Sequence, residues 1–185
     1  MHCFERITIV GFDLGEWPWR DELELALEEV FGIDAEWHTD ISLPPSAFDP
    51  ARGQYLGTPF LEALMHLRRD PKEIMLGVTK EDLYDGGLNF IFGLASPAGV
   101  CVISLKRLDN RFYGLPQDDN LYFKRVLTEA VHEIGHVLGL SHCPNSRCVM
   151  HFSNSLADTD KKGYRFCPAC AAKAKAALCP HKSVK

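Results

Sequence analysis

The 185-residue sequence contains no apolar run approaching the ~18 residues that a membrane-spanning helix needs. Its first stretch, Met1 to Phe12, is broken by Glu5 and Arg6 and has no apolar segment followed by a small-residue cleavage site. No secretory signal is therefore read there. An excess of basic residues is also missing. Lys and Arg total 20 against 25 Asp and Glu, giving a net charge of −5 and a pI near 5.9. A nucleic-acid binder would normally show a basic face. Internal repeats and low-complexity tracts are absent too. These absences predict a cytoplasmic protein with neither nucleic acid nor membrane as a partner, and a monomer is the expectation. What is present is a hydrophobic share of 46%, enough for one domain, 1–185, with a sizeable core.

Cysteine is neither scarce nor evenly spread. The seven cysteines are an odd number, and most of them cluster in the last third. Without an export signal this pattern points to metal ligands rather than to a disulfide framework. Cys3 and Cys101 fall in strand-like stretches and are expected as buried thiols. Cys179 and His181, in C-P-H, could approach a metal, but a solvent-exposed tail is the expectation.

The first two thirds alternate strands with helices. Arg6 to Val10 is β-branched and reads as a strand. Asp21 to Phe31 carries Leu23, Leu27 and Val30 at helical spacing and stops at Gly32. Asp34 to Thr39 reads as a second strand, and Ile41 to Pro59 as mostly loop. Phe60 to Arg69 is a helix started by Thr58 and Pro59. Ile74 to Thr79, Asn89 to Leu94 and Val100 to Leu105 are further strands, the last two joined by a turn at Ser96 to Gly99. This alternation predicts an α/β fold with a mainly parallel sheet. After Gly139 the chain turns Cys-, Pro- and polar-rich, so 1–139 is expected as an upper part and 140–185 as a lower one. Ala169 to Ala177 fits a short helix.

The chemistry sits on Asn120 to Gly139, read as a helix with Asn120 as N-cap and a buried face of Phe123, Leu127, Ala130, Ile134, Val137 and Leu138. His132 and His136 are one turn apart, so both imidazoles can reach one metal. Glu133 lies beside the first ligand, placed to activate a zinc-bound water without coordinating. Gly139 can take positive φ and turn the chain, which lets His142 return as a third ligand. The pattern H-E-I-G-H-V-L-G-L-S-H fits the metzincin signature. Three protein nitrogens leave a fourth position open, the arrangement of a catalytic zinc. Four residues separate Cys143 and Cys148, and Cys167 and Cys170 form C-P-A-C. Two such pairs can make a structural Cys₄ zinc site, with a redox role for Cys167 and Cys170 as the alternative. Met150, eight residues after His142, either forms an apolar floor below the histidines or simply fills core. Trp17 and Trp19 read as packing anchors, one set among Phe90, Ile91 and Phe92 faces the core, and His2, His38, His66 and His151 receive no role.

Together, H-E-I-G-H-V-L-G-L-S-H-C, C-V-M at Cys148 to Met150, and C-P-A-C resemble the archaemetzincins. The resemblance implies a compact metzincin fold: a twisted sheet and two helices above a cleft, with a small C-terminal subdomain below. It implies a catalytic zinc on His132, His136 and His142, with Glu133 as base. It also implies a second zinc on Cys143, Cys148, Cys167 and Cys170, and Met150 as the Met-turn residue. The strand around Asn89 to Leu94 becomes the edge along which a peptide or protein substrate pairs. Some metzincins carry Tyr two residues after the Met. Here that position is Phe152, which has no hydroxyl to offer. The expected function is a zinc-dependent metallopeptidase. The alternative is a non-catalytic zinc-binding protein with an intact but blocked site, against which a Glu at position 133 argues.

Overall fold

The computed structural model describes residues 3–179. A five-stranded sheet has the order β2-β1-β5-β8-β7. Its strands are β1 (Arg6–Phe12), β2 (Asp34–Trp37), β5 (Glu73–Thr79), β7 (Gly93–Ser96) and β8 (Val100–Ser104). The first three and β8 pair in parallel, and β7 alone runs antiparallel, at the edge. β1 and β5 are apolar on both faces, as central parallel strands must be when helices cover both sides. Ile74, Leu76 and Val78 of β5 point into the larger core with Leu23 and Leu27 of α1 (Arg20–Phe31) and with α3 (Asp119–Val137). Met75 of β5 and Val100 and Val102 of β8 face Phe60 and Leu64 of α2 (Thr58–Leu67). Each of these buried side chains contributes about 1.5–3 kcal/mol.

The α/β class and the mainly parallel sheet are as the alternation predicts. The stretch expected as loop holds more structure than its composition suggests. β3 (Phe48–Asp49) and β4 (Gln54–Leu56) join β6 (Leu83–Tyr84) in a second, three-stranded sheet. Strands this short leave no periodicity to read. Polar contacts hold them instead: the Gln54 amide donates to Asp82 and to the Asn89 carbonyl, at 2.8 and 2.9 Å. The same demand displaces the edge strand. Ile91 bridges Leu83 and the Asn89 carbonyl is taken by Gln54 and Arg52, so regular pairing with β8 covers Gly93–Ser96 rather than starting at Asn89.

α3 runs for 19 residues and is capped by Asp118, whose carboxylate accepts from the Leu121 N–H at 2.9 Å. Asn120, the expected cap, lies inside its first turn. The chain then enters α4 (Leu156–Lys162) and α5 (Pro168–Ala177). Nothing in the pattern predicts α4, because L-A-D-T-D-K-K has no apolar stripe. It starts on a capping box in which Ser155 and Asp158 each satisfy the other's backbone.

Cys3 corrects the sequence reading. It is bonded to Cys179 rather than being a free buried thiol, and Cys179 is accordingly no free tail. The backbone brings the two together. The Phe4 N–H donates to the Ala177 carbonyl, and the Cys179 N–H to the Phe4 carbonyl. A separation of 176 residues leaves no local trace in sequence. His181 lies outside the described residues. Cys101 is a buried free thiol, as expected. Closing so long a loop is worth on the order of 5 kcal/mol in the chain-entropy account. Cys3→Ser should therefore lower the Tm by roughly 10 °C. A non-chelating reductant should bring wild type down to the variant's Tm and leave the variant unmoved. Equal melting of oxidised wild type and variant would contradict the bridge.

Candidate active site

α3 ends one residue beyond His136, at Val137, and Gly139 takes φ 87°, a conformation that glycine adopts without a Cβ penalty. The chain reverses there and brings His142 up to His132 and His136. Ring centroids are 4.6 Å apart for His132 and His136, 4.8 Å for His136 and His142, and 5.4 Å for His132 and His142. One ring nitrogen from each lies within 4.8 Å of the others.

Backbone carbonyls decide which nitrogens face inward. The Val149 carbonyl lies 2.7 Å from Nδ1 of His132, and the Leu140 carbonyl 2.8 Å from Nδ1 of His136. A carbonyl only accepts, so Nδ1 carries the proton in both rings and Nε2 keeps a lone pair. The two Nε2 atoms then face each other at 3.1 Å with no proton to share. Two acceptors so placed repel unless an electrophile sits between them. Zinc–nitrogen bonds of about 2.1 Å would set tetrahedral ligands about 3.4 Å apart, so the donor set fits a cation. Burial holds His132, His136 and His142 below the usual imidazole range, with the Lys162 ammonium adding to the effect. His132 goes down to about 2. The rings are neutral at pH 7, as ligands must be.

Glu133 is buried beside this cluster. Burial, with Glu129 adding, pushes its carboxyl well above the usual carboxylate range. A bound dication would act in the opposite direction. Space for Glu133 comes from the edge strand: a Cβ on Gly93 would come within 2.6–2.8 Å of the Glu133 side chain. Below the helix, Met150 is fully buried, and a Cβ on Gly135 would overlap its sulfur. Phe152 lies against His142, ring centroids 5.0 Å apart. A cleft of about 740 Å³ passes between β7 and these residues, lined by Gly93, Leu94 and Ala95 above and by His142 and Phe152 below.

The four motif cysteines converge as well. Their sulfurs lie within 4.8 Å of one another. Cys143 and Cys167 are 3.9 Å apart, close to the ~3.8 Å that tetrahedral zinc–sulfur bonds of about 2.3 Å would impose. The Cys170 N–H at the start of α5 brings the Cys167 thiol down to about 7. Sequence reasoning therefore named residues that the fold does bring together. It missed Gly93 and Gly135, which make room, and the Val149 and Leu140 carbonyls, which orient the rings. Gly135 was visible inside H-E-I-G-H, and only the packing of Met150 gives it meaning.

Residues 32–176 match the model of peptidase family M54. The chain belongs to that family, the archaemetzincins. It is 54% identical over 175 residues to the archaemetzincin of Pyrococcus furiosus, covering 89% of this chain and 91% of that one. Among solved structures, the archaemetzincin of Methanopyrus kandleri superposes with a TM-score of 0.80 at 36% identity, covering 94% of each chain. A zinc-dependent peptidase from Methanocorpusculum labreanum gives 0.84 at 31% identity, over 91% of this chain and 99% of that one. Membership among the archaemetzincins makes the protein a zinc metallopeptidase of metzincin fold. No helix among the described residues is long and apolar enough to cross a membrane.

The neutral imidazoles set a pH dependence. His132 is depressed in the folded state, so its contribution to stability is complete above the unfolded value near 6.5 and is lost as pH falls toward 2. In metal-free protein, stability should drop by about 1.4 kcal/mol per pH unit below 6.5 from His132 alone. Thermal unfolding after chelation, between pH 7 and 5, tests this. The raised carboxyl of Glu133 acts in the opposite direction over this window, so the test is made in Glu133→Gln, where a flat Tm would mean that the ring is not buried neutral.

Proposed function

We propose that the protein hydrolyses peptide bonds at a zinc held by His132, His136 and His142, with Glu133 as general base. A second, structural zinc is held by Cys143, Cys148, Cys167 and Cys170. The observation that carries this reading is the pair of Nε2 lone pairs facing each other at 3.1 Å, next to a carboxyl that needs no coordination role. Zinc at that point supplies Lewis acidity toward the peptide carbonyl and makes water nucleophilic near neutral pH.

The chain's own residues do the rest. β7 is the sheet edge bordering the cleft, so an extended peptide gains main-chain hydrogen bonds by pairing with Gly93–Ser96. Glu133, in the space that Gly93 leaves open, takes a proton from the attacking water and passes it to the leaving amine nitrogen. The Val149 and Leu140 carbonyls keep His132 and His136 from rotating. Met150 packs beneath Gly135 as the floor of a Met-turn. The segment to Gly139 forms the upper part of the domain and 140–179 the lower part, which the cysteine site would hold in place.

Glu133→Gln should keep the full zinc content and lower turnover of a quenched fluorogenic peptide by about 10²–10⁴-fold. Wild-type turnover in that variant would remove Glu133 from the mechanism. Zinc content should be two per chain. His136→Ala should leave one, bound by the cysteines. Loss of both together would show a single folding unit. A wild-type protein with two zincs that cleaves no peptide in a diverse library would favour a blocked site.

A further inference from the structure

Lys162 stands outside every sequence motif, yet its side chain is wholly buried. Its ammonium lies 3.5 Å from Oε1 of Glu129 and donates to the His151 carbonyl at 3.1 Å. It also lies 3.2 Å from Nδ1 of His132. Glu129 is buried too, and its Oε1 accepts from the Thr159 hydroxyl at 2.9 Å. A buried ion pair is weak evidence of stabilisation, because apolar side chains of the same volume often do as well. Stability alone therefore does not account for this pair.

Its placement does. Nδ1 of His132 already gives its proton to Val149, so the ammonium makes no hydrogen bond to the ring. It closes the remaining space behind it. Through the His151 carbonyl the same ammonium grips the turn that carries Val149 on one side and Phe152 on the other. Glu129 holds it from α3, one helical turn before Glu133. Three elements thus meet at one atom: α3, the turn after the cysteines, and α4. We propose that Lys162 is a positioning residue for the histidine centre, its ammonium, neutralised by Glu129, wedging His132 and tying the turn below the cleft to the active-site helix. The inference rests on the reading of the three histidines as a zinc site.

The ammonium repels a cation and adds to burial in holding the imidazoles down, so loss of the pair's charge alone would tighten zinc binding, and only lost positioning would weaken it. The decisive variant is Glu129→Gln with Lys162→Met, examined beside wild type. Zinc affinity of the histidine site, by chelator competition, should weaken about 10–100-fold, as for loss of other groups that support a ligand histidine. The Tm should stay within a few degrees. With a cleaved library peptide, kcat should fall while KM holds. Wild-type zinc affinity and kcat in the double variant would overturn the proposal and leave the pair a packing feature. Should the double variant fail to fold, Lys162→Arg keeps the charge but moves the donors. Weakened zinc binding at unchanged Tm is then expected, and unchanged zinc binding overturns the proposal. The zinc measurement needs no substrate. A wild type that binds zinc and cleaves nothing would sink the peptidase reading while still deciding the role of Lys162.

Discussion

Everything at this site depends on two lone pairs being made to face each other. His132 and His136 are one turn apart on a helix, and that spacing alone leaves both rings free to rotate about χ1 and χ2. Their Nδ1 protons are claimed by the carbonyls of Val149 and Leu140, which belong to the chain after the helix. The helix supplies the two imidazoles, and the segment that folds back beneath it decides which nitrogen each presents. A buried Nε2 pair at 3.1 Å is unfavourable by itself, so the fold stores at this point a demand for a cation.

That demand explains the glycines and the cysteines together. The return segment must come close enough for Val149 to reach His132, and Met150 can lie there only because Gly135 has no side chain. On the other side the edge strand can pass over Glu133 only because Gly93 has none. A segment of 46 residues with few apolar periods gains little from burial. The bridge from Cys179 to Cys3 cross-links its end, and the four cysteines, drawn within 4.8 Å, stand where a metal would add a second cross-link. The bridge returns the end of α5 to the start of β1, so the lower segment is held at its far end as well as at the histidines.

The legible part of this design is the part written in local spacing. H-E-I-G-H-V-L-G-L-S-H brings three imidazoles and a carboxyl together because a helical turn and one positive-φ glycine convert sequence offsets into geometry. The two cysteine pairs are legible for the same reason, and so are the central strands, whose apolar runs are long. Illegible are contacts whose partners are far apart in the chain. Cys3 and Cys179 give no signal over 176 residues. The short strands β3, β4 and β6 are held by Gln54, Asp82 and Arg107 rather than by a pattern. The edge strand starts four residues later than its sequence suggests, because Asn89 and Ile91 look like strand residues but spend their backbone groups on that second sheet.

α4 is the instructive failure. Its seven residues offer no apolar stripe, and a helix so short is marginal without tertiary support. It is held instead by directional contacts. Arg125 forks onto Asp160 at 2.7 and 2.8 Å, Thr159 donates to Glu129, and Lys162 reaches Glu129 and the His151 carbonyl. An apolar helix could slide along α3 and lose little, since hydrophobic contact is non-directional. A helix docked through buried donors and acceptors cannot, because each displaced group is left unpaired at a cost of about 1–3 kcal/mol. The polar interface gives up packing energy in exchange for register. Register is what the site requires, because the turn gripped by α4 is the one whose carbonyl aims His132.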